Sequence, residues 1–142
     1  MTYLADVNVW VALSIVEHVH EKLAKDWFTG LPERDSVLFC RVTQQGLLRL
    51  LTNPAVMKTD VRTALEAWGV YDTFAAIDCV AFAAEPPELE TAWRKLARLP
   101  QTGPNFWTDA YLAAFALTAG HTIVTFDRGF RRYAGLQLAL LV

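Results

Sequence analysis

Residues Asn105–Asp127, NFWTDAYLAAFALTAGHTIVTFD, decide the fold. They read as a helix with Asp109 near its start, a turn at Gly120-His121, and an apolar strand, Thr122–Phe126, that runs into Asp127. A matching pattern stands at the N-terminus, where the run Thr2–Val7, a short buried strand, carries Asp6 near its end. If the two runs are strands of one parallel sheet, Asp6 and Asp127 emerge at its carboxyl edge, where open α/β sheets place their ligands. Asp109 then joins them from a helix start on the same side. Three carboxylates held together repel one another, and their pKa values rise unless a cation binds. Ligands that are all oxygen suit a hard ion, Mg²⁺ or Mn²⁺.

Outward from this stretch the chain alternates strands with helices. Asn8 is placed to cap a short helix, Val9–Ile15, and a second helix covers Val19–Phe28 with Leu23, Trp27 and Phe28 on its apolar stripe. Ser36–Cys40 is strand-like, and Thr43 is positioned to cap a helix running to Leu51, stopped by Asn53-Pro54. Asp60 caps a helix to Trp68, and a further helical turn falls at Tyr71–Ile77. Cys79–Ala83 makes a short strand before Pro86-Pro87. Glu88–Leu99 is amphipathic, with Leu89, Trp93, Leu96 and Leu99 on one face. The last apolar run is Leu136–Val142. This alternation predicts a three-layer α/β/α domain, residues 1–142, around a central parallel sheet of four or five strands.

Composition narrows the class. With 142 residues, 54% of them apolar and 20% charged, the chain has the makings of one globular domain with a real core. The net charge of -2 gives no general attraction to nucleic acid, so a polyanion would need a local basic patch. Cys40 and Cys79 are too few and too far apart for a disulfide scaffold or a CxxC site and read as buried thiols in a reducing cytosol. The N-terminus lacks the basic segment of a signal peptide, and no apolar run is long enough to span a membrane. The expectation is a cytoplasmic protein with no membrane segment.

Each aspartate has a plain alternative: Asp6 as a helix cap, Asp109 as a partner of a helix dipole, Asp127 as the start of a turn. Their joint occurrence favours the site. Gln44, in the first turn of the helix within RVTQQGLLRLLTN, is expected beside the acids, with Arg49 on a neighbouring face able to contact phosphate. Asn8 and Thr125 flank the acids and are candidates to orient a carboxylate or a water. A positive footprint is expected from Arg128, Arg131 and Arg132, with Arg41 and Arg49 near; Arg94, Lys95 and Arg98 read as a solvated helix face. His18 and His20 are expected to be exposed, and His121 to be structural. Trp10, Trp27, Trp68 and Trp93 are expected in the core or an interface. Trp107 is expected in the core, although its position near Asp109 would also let it stack a base.

LADVNVWVAL at the start, TQQGLLRLLTNP in the middle and WTDAYLAAFALTAGHTIVTFDRGF near the end together resemble the PIN-domain VapC ribonuclease toxins, most closely the subgroup abundant in mycobacteria. The resemblance spans nearly the whole chain with its motifs in family order. It implies a Mg²⁺- or Mn²⁺-dependent endoribonuclease acting on RNA, restrained by a cognate VapB-type antitoxin and assembled as a homodimer. By position Asp6 and Asp109 match the metal-ligating aspartates and Asp127 the last acid. The family's remaining acid falls at Gln44, a neutral oxygen that lowers the charge available to a second cation. The alternative is a catalytically weak PIN domain that only binds RNA or a protein. Phosphatase and phosphoacceptor readings of DVN fail, because they need a second acid where Asn8 stands and a lysine late in the chain, and none follows Lys95.

Overall fold

The computed structural model describes residues 1–16, 18–98, 100 and 103–142. Five strands, β1 (Thr2–Ala5), β2 (Ser36–Phe39), β3 (Val80–Phe82), β4 (Thr122–Thr125) and β5 (Leu138–Leu140), form one sheet in the order β3-β2-β1-β4-β5. Every pairing is parallel, with Leu4 opposite both Leu38 and Ile123. The expected α/β class and parallel sheet are therefore observed, at the upper end of the expected strand number.

Alternation along the strands builds two cores. Leu4, Leu38 and Ile123 face one side, where they pack with Ala110, Leu112, Ala113, Phe115 and Phe130. Ala5, Val37, Phe39 and Val124 face the other, packing with Val9, Trp10, Leu47 and Leu51. Side chains of period two are thus buried on both faces, which is why the strands read as continuous apolar runs. Helices α6 (Leu89–Leu96) and α7 (Phe106–Ala119) cover the first face. Helices α1 (Val7–Ser14), α2 (Glu21–Thr29), α3 (Arg41–Leu51) and α5 (Ala64–Ala75) cover the second, with α4 (Pro54–Met57) linking the last two.

Several boundaries move, each for a local reason. Strand β1 stops at Ala5, because Asp6 rather than Asn8 caps α1: its Oδ1 accepts the Val7 amide at 2.7 Å. Asn8 lies inside the helix as its second residue, two positions past the cap. Thr43 is inside α3, where its hydroxyl accepts the amide of the capping Cys40 at 2.9 Å. Asp60 belongs to a 3₁₀ turn (Lys58–Asp60), and the two helical segments expected after it are one helix, capped reciprocally by Thr63 and Glu66. Leu99, expected on the apolar face of α6, lies outside the described residues. Helix α7 ends on Gly120 at φ 76°, the left-handed turn that glycine takes without strain and that sends the chain straight into β4. Gly46 lets α3 approach α1: a Cβ there would come within 2.6 Å of Val7 Cγ2.

One aromatic expectation fails, the core placement of Trp107, while Trp68 lies outside the core, where its interface alternative stays open. Trp107 is 64% exposed and Trp68 is 48% exposed, whereas Trp10 is fully buried and stacks on Phe39. His18 and His20 are half-buried rather than exposed, and His20 stacks on Phe126 with ring centroids 4.2 Å apart. Among the described residues no helix is long and apolar enough to cross a membrane.

Candidate metal centre at the carboxyl edge

The order of strand addition reverses beside β1: the strands that follow it add on one side as β2 and β3, and those that come later add on the other as β4 and β5. That switch point opens a crevice at the carboxyl ends of β1 and β4. Asp6 leaves β1 and Asp127 follows β4, while α7 delivers Asp109 from its first turn.

The hub is Thr125, a fully buried hydroxyl at the last position of β4. It donates to Asp6 Oδ2 at 2.7 Å and accepts from the Asp127 amide at 3.0 Å and from Asn8 Nδ2 at 3.3 Å. Asp127 Oδ1 in turn accepts the Gly129 amide at 2.7 Å, which starts the 3₁₀ turn Arg128–Arg132. One hydroxyl therefore fixes two of the three acids and Asn8. From the sequence Thr125 is a candidate to orient a carboxylate or a water, but nothing in TIVTFD says which neighbour the hydroxyl meets across 119 residues.

Electrostatics couples the acids. Burial pushes the Asp6 carboxyl above its ordinary range, the Thr125 hydroxyl and Val7 amide pull it part of the way back, and the charge of Asp127 adds to the rise. Burial, then the charge of Asp6 and then that of Asp127, pushes Asp109 up to about 7. Arg132 opposes this, with Nη2 3.5 Å from Asp109 Oδ2, a long contact that lowers the pKa less than burial and the two neighbouring acids raise it. Arg132 also donates to the Tyr133 hydroxyl at 3.0 Å and lies over its ring. Asn8 Oδ1 and Arg132 Nε, on two side chains bordering the acids, are buried without a hydrogen-bond partner among the described residues. Buried polar atoms are rarely left so.

The donor set fits a hydrated hard cation. All candidate ligands are oxygens, they are excess negative charge, and an ion between them would remove the repulsion that raises Asp109. Among the described residues no three His, Cys, Asp or Glu side chains converge closely enough to enclose an ion. A cation would accordingly take part of its shell from water, as Mg²⁺ commonly does.

Of the remaining expected site residues, Arg132 alone hydrogen-bonds to one of the three aspartates among the described residues. Gln44 is buried, but its Oε1 accepts Arg41 Nη1 at 2.6 Å, and none of its hydrogen bonds reaches the three aspartates. Arg41 itself stacks over Phe82. Arg49 lines a groove between α3 and α5 with Leu48, Thr52 and Trp68. Arg128 and Arg131 are exposed on the turn beside Asp127, while Arg132 is drawn into the acid cluster. Tyr133 is a neighbour that no sequence signal marked.

This crevice and sheet order belong to a class that the sequence matches directly: residues 3–136 fit the family model described as PIN domain, and the chain is a member of that family. Within it the chain belongs with the VapC proteins. It is 44% identical to Ribonuclease VapC41 of Mycobacterium tuberculosis, over 97% of both chains. It is 32% identical to Ribonuclease VapC29 of the same organism, over all of this chain and 97% of that one. In fold it resembles VapBC2 from Rickettsia felis, solved bound to a DNA fragment from its promoter, with a TM-score of 0.75 at 15% identity and full coverage of both chains.

Proposed function

We propose that this chain, as a single domain over residues 1–142, is a divalent-metal-dependent endoribonuclease that acts in the cytoplasm as the toxin of a toxin–antitoxin pair. The observation that carries the reading is the under-compensated carboxylate cluster at the β1–β4 switch point, in a chain 44% identical to a VapC ribonuclease. Asp6 and Asp109 would hold Mg²⁺ or Mn²⁺ through carboxylate oxygens, with Asp127 as the third acid. When bound, the ion supplies Lewis-acid polarisation of the phosphodiester and a bound water of lowered pKa. The remaining work falls to the chain. Thr125 holds Asp6 in one orientation through its hydrogen bond, and Asn8, bonded to the same hydroxyl, offers a free buried oxygen beside it. Arg132 keeps Asp109 partly compensated when no ion is present. Arg128 and Arg131, exposed next to Asp127, provide the local positive charge that RNA needs on a protein of net charge -2. Arg49 would contact phosphate farther along α3.

The partners that follow are an RNA substrate, a VapB-type antitoxin and a second copy of the chain in a homodimer. Incubating the purified protein with structured RNA in Mn²⁺ tests the chemistry. Cleavage that stops with EDTA and with Asp109→Asn is the expected result, and RNA binding without cleavage under every metal condition overturns it. One observation favours a second reading, a PIN domain of weak activity that only binds RNA or protein: Gln44 is spent on Arg41 rather than adding an acid to the cluster.

A further inference from the structure

We infer that the exposed face of Trp107 is a stacking platform for an unpaired base of the RNA strand, adjacent to the phosphodiester held at Asp109. The inference rests on the ribonuclease reading and gives it a substrate preference, namely RNA that is single-stranded next to the cut.

Trp107 and Asp109 occupy the same first turn of α7, about 3 Å apart along the axis and about 200° apart around it, so a strand serving both must cross the helix end. Asp109 turns into the crevice and is buried, while Trp107 turns toward α6 and is 64% exposed. Its exposure is built rather than accidental. Trp93 on α6 donates its indole N–H to the Trp107 carbonyl at 3.2 Å, and the two rings meet edge to face at 6.4 Å. Trp93 is held from behind by Tyr111, edge to face at 5.3 Å, and Phe106 meets Trp107 in the same way at 5.1 Å. These two perpendicular contacts hold the ring in place while 64% of the residue stays open to solvent.

Beside it lies a groove of about 450 Å³ lined by Trp93, Trp107, Ala97, Glu90, Arg94 and Arg98. Two cations face one anion there, on a chain that is acidic overall. Arg94 is tied to Glu90 at 2.9 Å, an exposed pair of small worth that a phosphate can replace. A fixed aromatic face flanked by arginines is the arrangement that binds single-stranded nucleic acid without reading sequence: bases stack, phosphates meet guanidinium groups. The same charge balance favours a polyanion over an apolar helix as the occupant. A base there would lie on a strand crossing the N-terminal end of α7, where Asn105 and Thr108 are exposed, toward the acids.

The test uses the full chain and short single-stranded RNA of randomised sequence containing 5-iodouridine. Irradiation in EDTA is expected to cross-link Trp107, identified by peptide mass spectrometry. In Mn²⁺, Trp107→Ala is expected to raise KM about tenfold while kcat changes less than about threefold, and Trp107→Phe to restore most of the loss because phenylalanine still stacks. Arg94→Gln with Arg98→Gln is expected to raise KM and flatten its salt dependence. Cross-links confined to other residues, an unchanged KM in Trp107→Ala, or failure of Trp107→Phe to recover activity while its circular dichroism is native would each overturn the platform. So would loss of binding to a VapB-type antitoxin with RNA kinetics untouched, which would make the groove a protein site. If the wild-type chain cuts no RNA, the ribonuclease reading falls, and the cross-link in EDTA still decides separately whether Trp107 receives a base.

Discussion

Between β1 and β4 the carboxyl edge of the sheet gathers three aspartates around one hydroxyl and one distant guanidinium. Between β2 and β3 the same edge carries polar side chains that pair with one another. Gln44 takes Arg41, Arg41 covers Phe82, the Tyr111 hydroxyl donates to Glu85 at 2.9 Å, and Thr43 closes on Cys40. Burial raises the Tyr111 and Cys40 pKa values, so both remain neutral and ask for no ion. Among the described residues, the half of the edge at the switch point holds Asp6, Asp109 and Asp127 close enough for like charge to raise the Asp6 and Asp109 pKa values. Both halves share a carboxyl edge, and like charge held together is what sets this half apart.

The sharpest way to break this contrast is to remove an acid from the charged half. Asp109→Asn, or Asp6→Asn, is expected to lower RNA cleavage in Mn²⁺ by at least about a hundredfold, since even partners of metal ligands commonly cost 10–100-fold. Gel assays of initial rate read this directly, and activity within a few-fold of wild type would remove these residues from the chemistry.

Next in size is Thr125→Val, which keeps the volume and deletes the hydroxyl that joins Asp6, Asp127 and Asn8. A loss of about tenfold or more in cleavage is expected, with a higher Mn²⁺ requirement in titrations and recovery in Thr125→Ser. Equal activity in the valine variant would show that the acids hold their places unaided.

A third measurement needs no substrate. The Asp109 pKa is raised from 3.8 to about 7 on folding, so the native state binds that proton more tightly. Across that window stability of the metal-free protein falls as pH rises, and the trend levels off above about 7. Thermal melts in EDTA are expected to show this slope, and Asp109→Asn to reduce it. Mn²⁺ should raise the melting temperature most at the alkaline end. A slope unaffected by Asp109→Asn would mean that the carboxylate is better compensated than its surroundings indicate.

The smallest effect belongs to the neutralised half. Gln44→Glu should strengthen the pair with Arg41 and change cleavage by less than about threefold, because the added charge is consumed locally. A large gain would instead place residue 44 in the catalytic cluster and merge the two halves.

Much of this was legible from the linear pattern. Apolar runs separated by helical periods gave the class and parallel sheet, and acids following two such runs marked the carboxyl edge, because strand ends and helix starts are local properties. Caps were less legible: Asp6, Thr63 and Cys40 do what Asn8, Asp60 and Thr43 were expected to do, since several polar residues near a helix start can each offer a cap. Trp107 was misplaced because an indole looks the same to a sequence pattern whether it fills a core or stands on a surface.

By itself, then, the order of residues determined the layers, the sheet's polarity and which aspartates could meet, through short-range rules of burial and turn formation. Tertiary structure alone decided how their charge is balanced: that Thr125 binds Asp6 across 119 residues, that Arg132 rather than Gln44 meets Asp109, and that Trp107 keeps an open face. Coulomb and hydrogen-bond energies depend on distances of a few ångströms between remote segments, and only the packed sheet and helices set those distances.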